Sequence, residues 1–213
     1  LKIKYKPLNK DEMVIDFTPP YKRVDMVPEL ENRTGVSFPK DLSSDPARDF
    51  LDDLCVKMNI ECGEPRTSAR LIDKLVGHFI EPECQNPTFI INHPLTMSPL
   101  AKQHRDNPQL TERFELFIAG MELANAYTEL NDPRIQRVRF EDQANAKTMG
   151  DVEAQNIDEP YIDSLEYGLP PTGGFGLGVE RFIMLMTNRN TIRDVIPFPQ
   201  ISNKKVDNLN LSN

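Results

Sequence analysis

Residues 168–182 read GLPPTGGFGLGVERF, and this stretch limits the fold more than any other. Four of the chain's ten glycines, Gly173, Gly174, Gly176 and Gly178, fall within six residues. Gly174, Gly176 and Gly178 recur with a period of two, the period of a strand, so all three would present bare backbone on one face. A dinucleotide fingerprint needs G-x-G-x-x-G, and a phosphate loop needs G-K-[ST] after four spacers. The spacing here is G-x-G-x-G, and Val179 and Glu180 follow Gly178, so neither loop fits. The next run, VERFIMLMT, is apolar nearly all round, as a buried helix would be, and Arg181 falls in its first turn. A cation there opposes the helix dipole and needs an external reason such as phosphate, to which guanidinium gives paired hydrogen bonds. Close packing or a bulge is the alternative reason for the glycines.

The remaining chain reads as strands and helices in one domain. LKIKYKP and MVIDFTPP look like two strands around a polar turn, the second stopped by two prolines. DMVPELENRTG suggests a short helix closing near Gly35. In SSDPARDFLDDLCVKMN, Asp45 is the expected N-cap and Pro46 the first helical residue. RTSARLIDKLVGHFI repeats the helical spacing with Leu71, Leu75, His78 and Phe79, and PTFIIN is a short apolar strand. Asp132 before Pro133 opens another helix that ends near Gly150, and EPYIDSLEYG forms one ending at Gly168. Strands in pairs with helices between favour an α+β fold, an antiparallel sheet with flanking helices, over a doubly wound parallel sheet. The polar tail, 203–213, is expected to fray.

A second constellation lies in ERFELFIAGMELANAYTEL, where two strands flank Ala119, Gly120 and Met121 as a hairpin. On the return strand Asn125, Tyr127 and Glu129 project from one face, where a core strand would carry aliphatic residues. Glu115 lies on the outgoing strand and Glu122 begins the return. Two carboxylates across a hairpin suit a divalent cation bridging to phosphate, and the Asn–Tyr–Glu set suits a ligand bearing an ammonium group. A solvent-facing strand whose glutamates keep an edge soluble is the other reading.

Composition removes several classes. The net charge of −8 over 213 residues argues against a broad basic surface for nucleic acid, leaving local patches. No apolar run approaches the ~20 residues of a membrane span, and the N-terminal stretch lacks a signal-peptide core. Three cysteines without a C-x-x-C pair speak for a reducing, cytoplasmic setting. Cys55 and His78 are expected to pack in helix interiors, and His93 and His104 receive no role.

GLPPTGGFGLGVERFIMLMTNRNTIRDVIPFP resembles motif 3 of class II aminoacyl-tRNA synthetases. MSPLAKQHRDNPQLTERFELFIAGMELANAYTELNDP resembles the lysyl-tRNA synthetases in particular, and DFTPPYKRVDMV and PRTSARLIDKLVG lean to their eukaryotic cytosolic branch. The likeness runs to about Pro199 and implies the same antiparallel fold. By resemblance, Glu115 and Glu122 match acids that hold Mg2+ on the ATP phosphates. Arg181 matches the arginine on the far phosphates, and Leu123, Gly178, Val179 and Glu180 adjoin the nucleotide. Asn125, Tyr127 and Glu129 match the lysine site, with Gly174 and Gly176 leaving room for substrate.

The implied reaction is attack of the lysine carboxylate on the α-phosphate of ATP, then transfer of the lysyl group to tRNA(Lys). Both substrates bring their own nucleophiles, so no Ser, Cys or His nucleophile is required. The family pattern includes an anticodon-binding barrel and motifs 1 and 2, and no F-R-N-E type of stretch occurs here. Residues 1–202 are therefore expected to be the C-terminal part of a catalytic domain, inactive alone and homodimeric at full length. A synthetase-derived interaction module, or a ligase passing lysyl-adenylate to a non-tRNA acceptor, are the alternatives.

Overall fold

The computed structural model of the protein describes residues 1–151 and 154–199; the expected polar tail, 203–213, lies outside them. An N-terminal hairpin, β1 (Lys2–Tyr5) and β2 (Met13–Asp16), stands apart from the main sheet. The five main strands are β3 (Lys22–Asp25), β4 (Thr88–Ile91), β5 (Arg113–Ile118), β6 (Met121–Thr128) and β7 (Gly173–Leu177), in that spatial order. Every pairing is antiparallel except β3 with β4. That parallel pair needs a crossover, which α1 (Met26–Thr34), α2 (Asp45–Lys57) and α3 (Ser68–Phe79) provide. The α+β fold expected from the strand pairs holds, with this one parallel exception. β3 escaped the sequence reading because KRVD buries only Val24 and shows no alternation.

Helix ends follow their capping residues. Asp132 accepts hydrogen bonds from Arg134 N at 2.9 Å and Ile135 N at 3.4 Å, and opens α4 (Pro133–Thr148). Asp158 does the same for α5 (Glu159–Glu166) through Tyr161 N at 3.0 Å. The cap of α2 is Ser44 rather than Asp45: the Ser44 hydroxyl accepts from Ala47 N at 3.4 Å, and Asp45 is already helical. Gly35, at φ 71°, ends α1 in the left-handed conformation that glycine adopts without a Cβ clash.

Two apolar cores sit on opposite faces of the sheet. One face, with Val24, Ile90 and Phe117, packs against Leu30, Leu51, Leu71, Ile72 and Leu75 from α1 to α3. The other, with Leu116, Ile118 and Leu123, packs against Tyr5 and Ile15 of the hairpin and Leu185 of α6 (Val179–Thr187). Each such aliphatic side chain contributes ~1.5–3 kcal/mol on full burial. Cys55 is buried in the first core, as expected.

Two further expectations fail. α6 is not a buried helix: Met184 and Leu185 are buried, while Val179, Phe182, Ile183 and Met186 are between 38% and 53% exposed. Its contacts run to β6, β1 and a terminal turn, which cover one stripe of a helix apolar on all sides. His78 is exposed rather than core, because Leu71, Ile72, Leu75 and Val76 already fill the inward arc of α3. It lies in the last turn with its ring edge-on to Phe79.

Candidate active site

The hairpin of β5 and β6 turns on Ala119 and Gly120, both at positive φ, as a two-residue connection requires. Its register pairs Arg113 with Tyr127 and Glu115 with Asn125. β7 then pairs Tyr127 with Gly174 and Asn125 with Gly176. Residues directly opposite one another share a face, so Arg113, Glu115, Asn125, Tyr127, Gly174 and Gly176 form one continuous polar surface. This surface lies on the side of Ile90 and Phe117, beneath α3. β6 is central rather than an edge, which removes the reading of its polar residues as solubilising.

Glu122 joins this face through an irregularity. Three residues separate it from Asn125, an odd number that would turn it to the opposite face. Between the Leu116–Ala124 and Phe117–Glu122 pairs, however, β6 carries the extra residue Leu123. This bulge resets the alternation and brings Glu122 opposite Phe117, onto the face of Glu115. Leu123 itself is buried in the second core, so only its backbone adjoins the site. The two carboxylates sense each other: burial raises the pKa of Glu122, and the charge of Glu115 adds to it.

Glu115 is held more firmly. Arg113 Nη2 donates to Oε1, and His93 Nε2 lies 3.2 Å from Oε2. Burial alone would raise the Glu115 pKa, but His93 and Arg113 outweigh it and the group stays below its ordinary range. Arg113 is also fixed, donating to Asn125 Oδ1 at 3.0 Å, Met97 O at 2.9 Å and Ser98 Oγ at 3.0 Å. Arg113, Glu115, Asn125, Tyr127 and Ser98 border a cavity of about 400 Å3. Sequence reasoning missed both Arg113 and His93. The alternation of Arg113 with Glu115 in ERFELF was a usable signal, whereas His93 stands in a loop with none.

Glu129 continues the line of Asn125 and Tyr127, its amide donating to Thr172 O at 2.9 Å. No donor or cation among the described residues pairs with its carboxylate, and burial raises its pKa. The side chain lies on Gly174: a Cβ there would overlap Glu129 Oε1 and come within 2.9 Å of Cδ. Gly176 differs, since a Cβ would meet only Asn125 O at an ordinary 3.7 Å. At Gly174 the bare backbone makes room for the Glu129 carboxylate, while Gly176 leaves open floor.

Gly178 departs from the expected strand face. β7 ends at Leu177, and Gly178 occupies the N-cap of α6, its amide donating to Leu123 O at 2.8 Å. Phe182 N to Gly178 O, 2.9 Å, closes the first turn, so the amides of residues 179–181 precede the intrahelical ladder. Arg181 reaches back to β6, donating from Nη1 to Glu122 O at 2.7 Å, 3.8 Å from Glu122 Oε2. About half exposed, its guanidinium keeps free donors beside the acids. The glycine strand, the acids and the arginine therefore meet at one place.

Magnesium fits this donor set only as a shared ion. Among the described residues no group of three or more His, Cys, Asp or Glu side chains is arranged to hold a metal. Two carboxylates suit magnesium where phosphate oxygens and water complete its shell.

The strand β7 and helix α6 that carry this glycine face and arginine are the segment whose sequence resembles motif 3 of class II synthetases. The chain matches the family model for tRNA synthetases class II (D, K and N) over residues 2–202, and it belongs to that family. It is 52% identical over 195 residues to "Lysine--tRNA ligase cla4" of Cladosporium cladosporioides, covering 91% of this chain and 33% of that protein. It is 50% identical over 196 residues to the lysine–tRNA ligase of Thermotoga maritima (91% of this chain, 37% of that protein). To the Vairimorpha ceranae protein named "Probable lysine--tRNA ligase, cytoplasmic" it is 49% identical over 203 residues, 93% of this chain and 40% of that protein. The chain thus spans between a third and two-fifths of the length of these relatives. Among the described residues no helix is long and apolar enough to cross a membrane.

Proposed function

We propose that residues 1–202 contribute to the catalytic domain of a cytoplasmic lysine–tRNA ligase, which activates lysine with ATP and passes it to tRNA(Lys) as a homodimer. The single observation that carries this reading is the unpaired carboxylate of Glu129, on the same face as Glu115, Asn125 and Glu122. A half-buried acid with no partner among the described residues is suited to a ligand's cation. The lysine ε-ammonium supplies it, with Asn125 and Tyr127 beside it. Gly176 leaves the ligand a flat floor, and Gly174 leaves room for the Glu129 carboxylate that faces it.

At the other end, Glu115 and Glu122 face the triphosphate and would hold magnesium on it. Bound magnesium supplies neutralisation of the phosphate charge. Arg181 and the open amides at the start of α6 receive the departing pyrophosphate, as helix N-termini and guanidinium groups receive phosphate generally. Leu123, Gly178, Val179 and Glu180 line the nucleotide between these points. The residues align the lysine carboxylate with the α-phosphate and stabilise charge, and none acts as a nucleophile.

Lysine-dependent exchange of pyrophosphate into ATP tests the proposal in the intact protein. The Glu129→Gln variant is expected to raise the KM for lysine by ~30-fold, the scale of stranding one member of a charge pair, while the KM for ATP changes little. Equal changes for both substrates would remove Glu129 from the lysine site.

A further inference from the structure

His93 follows β4 and is buried to 1% exposure. Its carbonyl oxygen accepts from both Thr111 N and Thr111 Oγ1, each at 2.9 Å, which anchors the loop through the main chain of His93. The ring is not needed for that anchor. Nδ1 has no partner among the described residues, and Nε2 lies 3.2 Å from Glu115 Oε2. A buried imidazole so poorly satisfied costs more than an apolar side chain of similar volume. Nε2 faces the Glu115 carboxylate, whose other oxygen is taken by Arg113. Arg113 thus holds one oxygen and His93 faces the other, both from the protein side of a carboxylate that borders the cavity.

We propose that His93 is a positioning residue for Glu115: its ring presents Nε2–H to Oε2 and, with Arg113 on Oε1, locks the carboxylate in the orientation that receives a phosphate-bound divalent cation. The inference rests on the reading of Glu115 as a metal-facing acid. Residues that orient a metal ligand from behind typically change metal affinity by ~10–100-fold when removed.

The test compares two amides that differ only in reach. His93→Gln carries its N–H near the place of Nε2, whereas His93→Asn carries it nearer that of Nδ1. Binding of Mn2+ to the intact protein with ATP present is read by water-proton relaxation, alongside lysine affinity and thermal unfolding. His93→Gln is expected to bind Mn2+ within about threefold of the wild type, and His93→Asn ~10-fold more weakly, both with unchanged lysine affinity. Equal Mn2+ binding by the two variants, or parallel loss of Mn2+ and lysine, would overturn the role of His93 and leave the site reading standing. Wild-type protein that takes up no Mn2+ with ATP would overturn the site reading and this inference together.

Discussion

Glu115 and Glu129 stand on the same sheet face, yet their surroundings are opposite. Glu115 accepts from Arg113 on one oxygen and has His93 Nε2 3.2 Å from the other, and its pKa is held down despite its burial. Glu129 has no partner among the described residues, and burial pushes its pKa up. The difference separates two uses of a carboxylate. A partnered acid is a fixed part of the field, costing nothing to organise when ligand arrives. An unpartnered one is a vacancy for a cation, and it discriminates because leaving it unpaired is costly.

The largest expected effect lies at the phosphate end. Arg181→Ala should lower lysine-dependent pyrophosphate exchange by ~100-fold or more, the scale of removing one donor from a developing charge. Exchange within a few-fold of wild type would detach Arg181 from the reaction. A second pair of variants separates packing from ligand space on β7. Gly174→Ala forces the Glu129 carboxylate aside and is expected to raise the KM for lysine ~10-fold with little loss of stability, since only the end of a flexible side chain must move. Gly176→Ala meets no protein atom closer than 3.7 Å, so its thermal unfolding should match the wild type while substrate binding weakens. Unchanged kinetics in both would show that the glycine face is not a floor.

The smallest effect is a pH dependence. On the proposed function lysine binding needs Glu129 ionised, and burial raises its pKa above the ordinary 4.5. Lysine affinity should therefore be full above that raised pKa and fall as pH drops through it, before an ordinary glutamate would protonate. Glu115, held below 4.5, stays charged over the same interval. Affinity that falls only below pH 4.5 would place Glu129 in water rather than in the site.

Much of this was legible in the chain because it rests on periods of two. The glycines at 174 and 176, and Asn125, Tyr127 and Glu129, each announce a strand face, and Ala119-Gly120 announces the turn between β5 and β6. Caps such as Asp132 were equally plain. The pairing of Glu122 with Glu115 was legible from the hairpin, but not the reason for it, because the odd spacing to Asn125 points Glu122 the wrong way until the bulge at Leu123 is known. His93 was invisible for a related reason: a histidine in a loop carries no periodicity, and its partner lies 22 residues on. The exposed faces of Phe182 and Met186 show the converse limit, since an all-round apolar helix states a preference for burial without naming what covers it.

The central claim is that Glu129 is kept unpaired for the substrate's terminal ammonium. Binding of lysine and of norleucine, which lacks only that group, to the wild-type protein and to Glu129→Gln tests it most directly. The account predicts strong preference for lysine in the wild type and a preference reduced by ~30-fold or more in the variant. A variant that retains the wild-type lysine-to-norleucine ratio would contradict it.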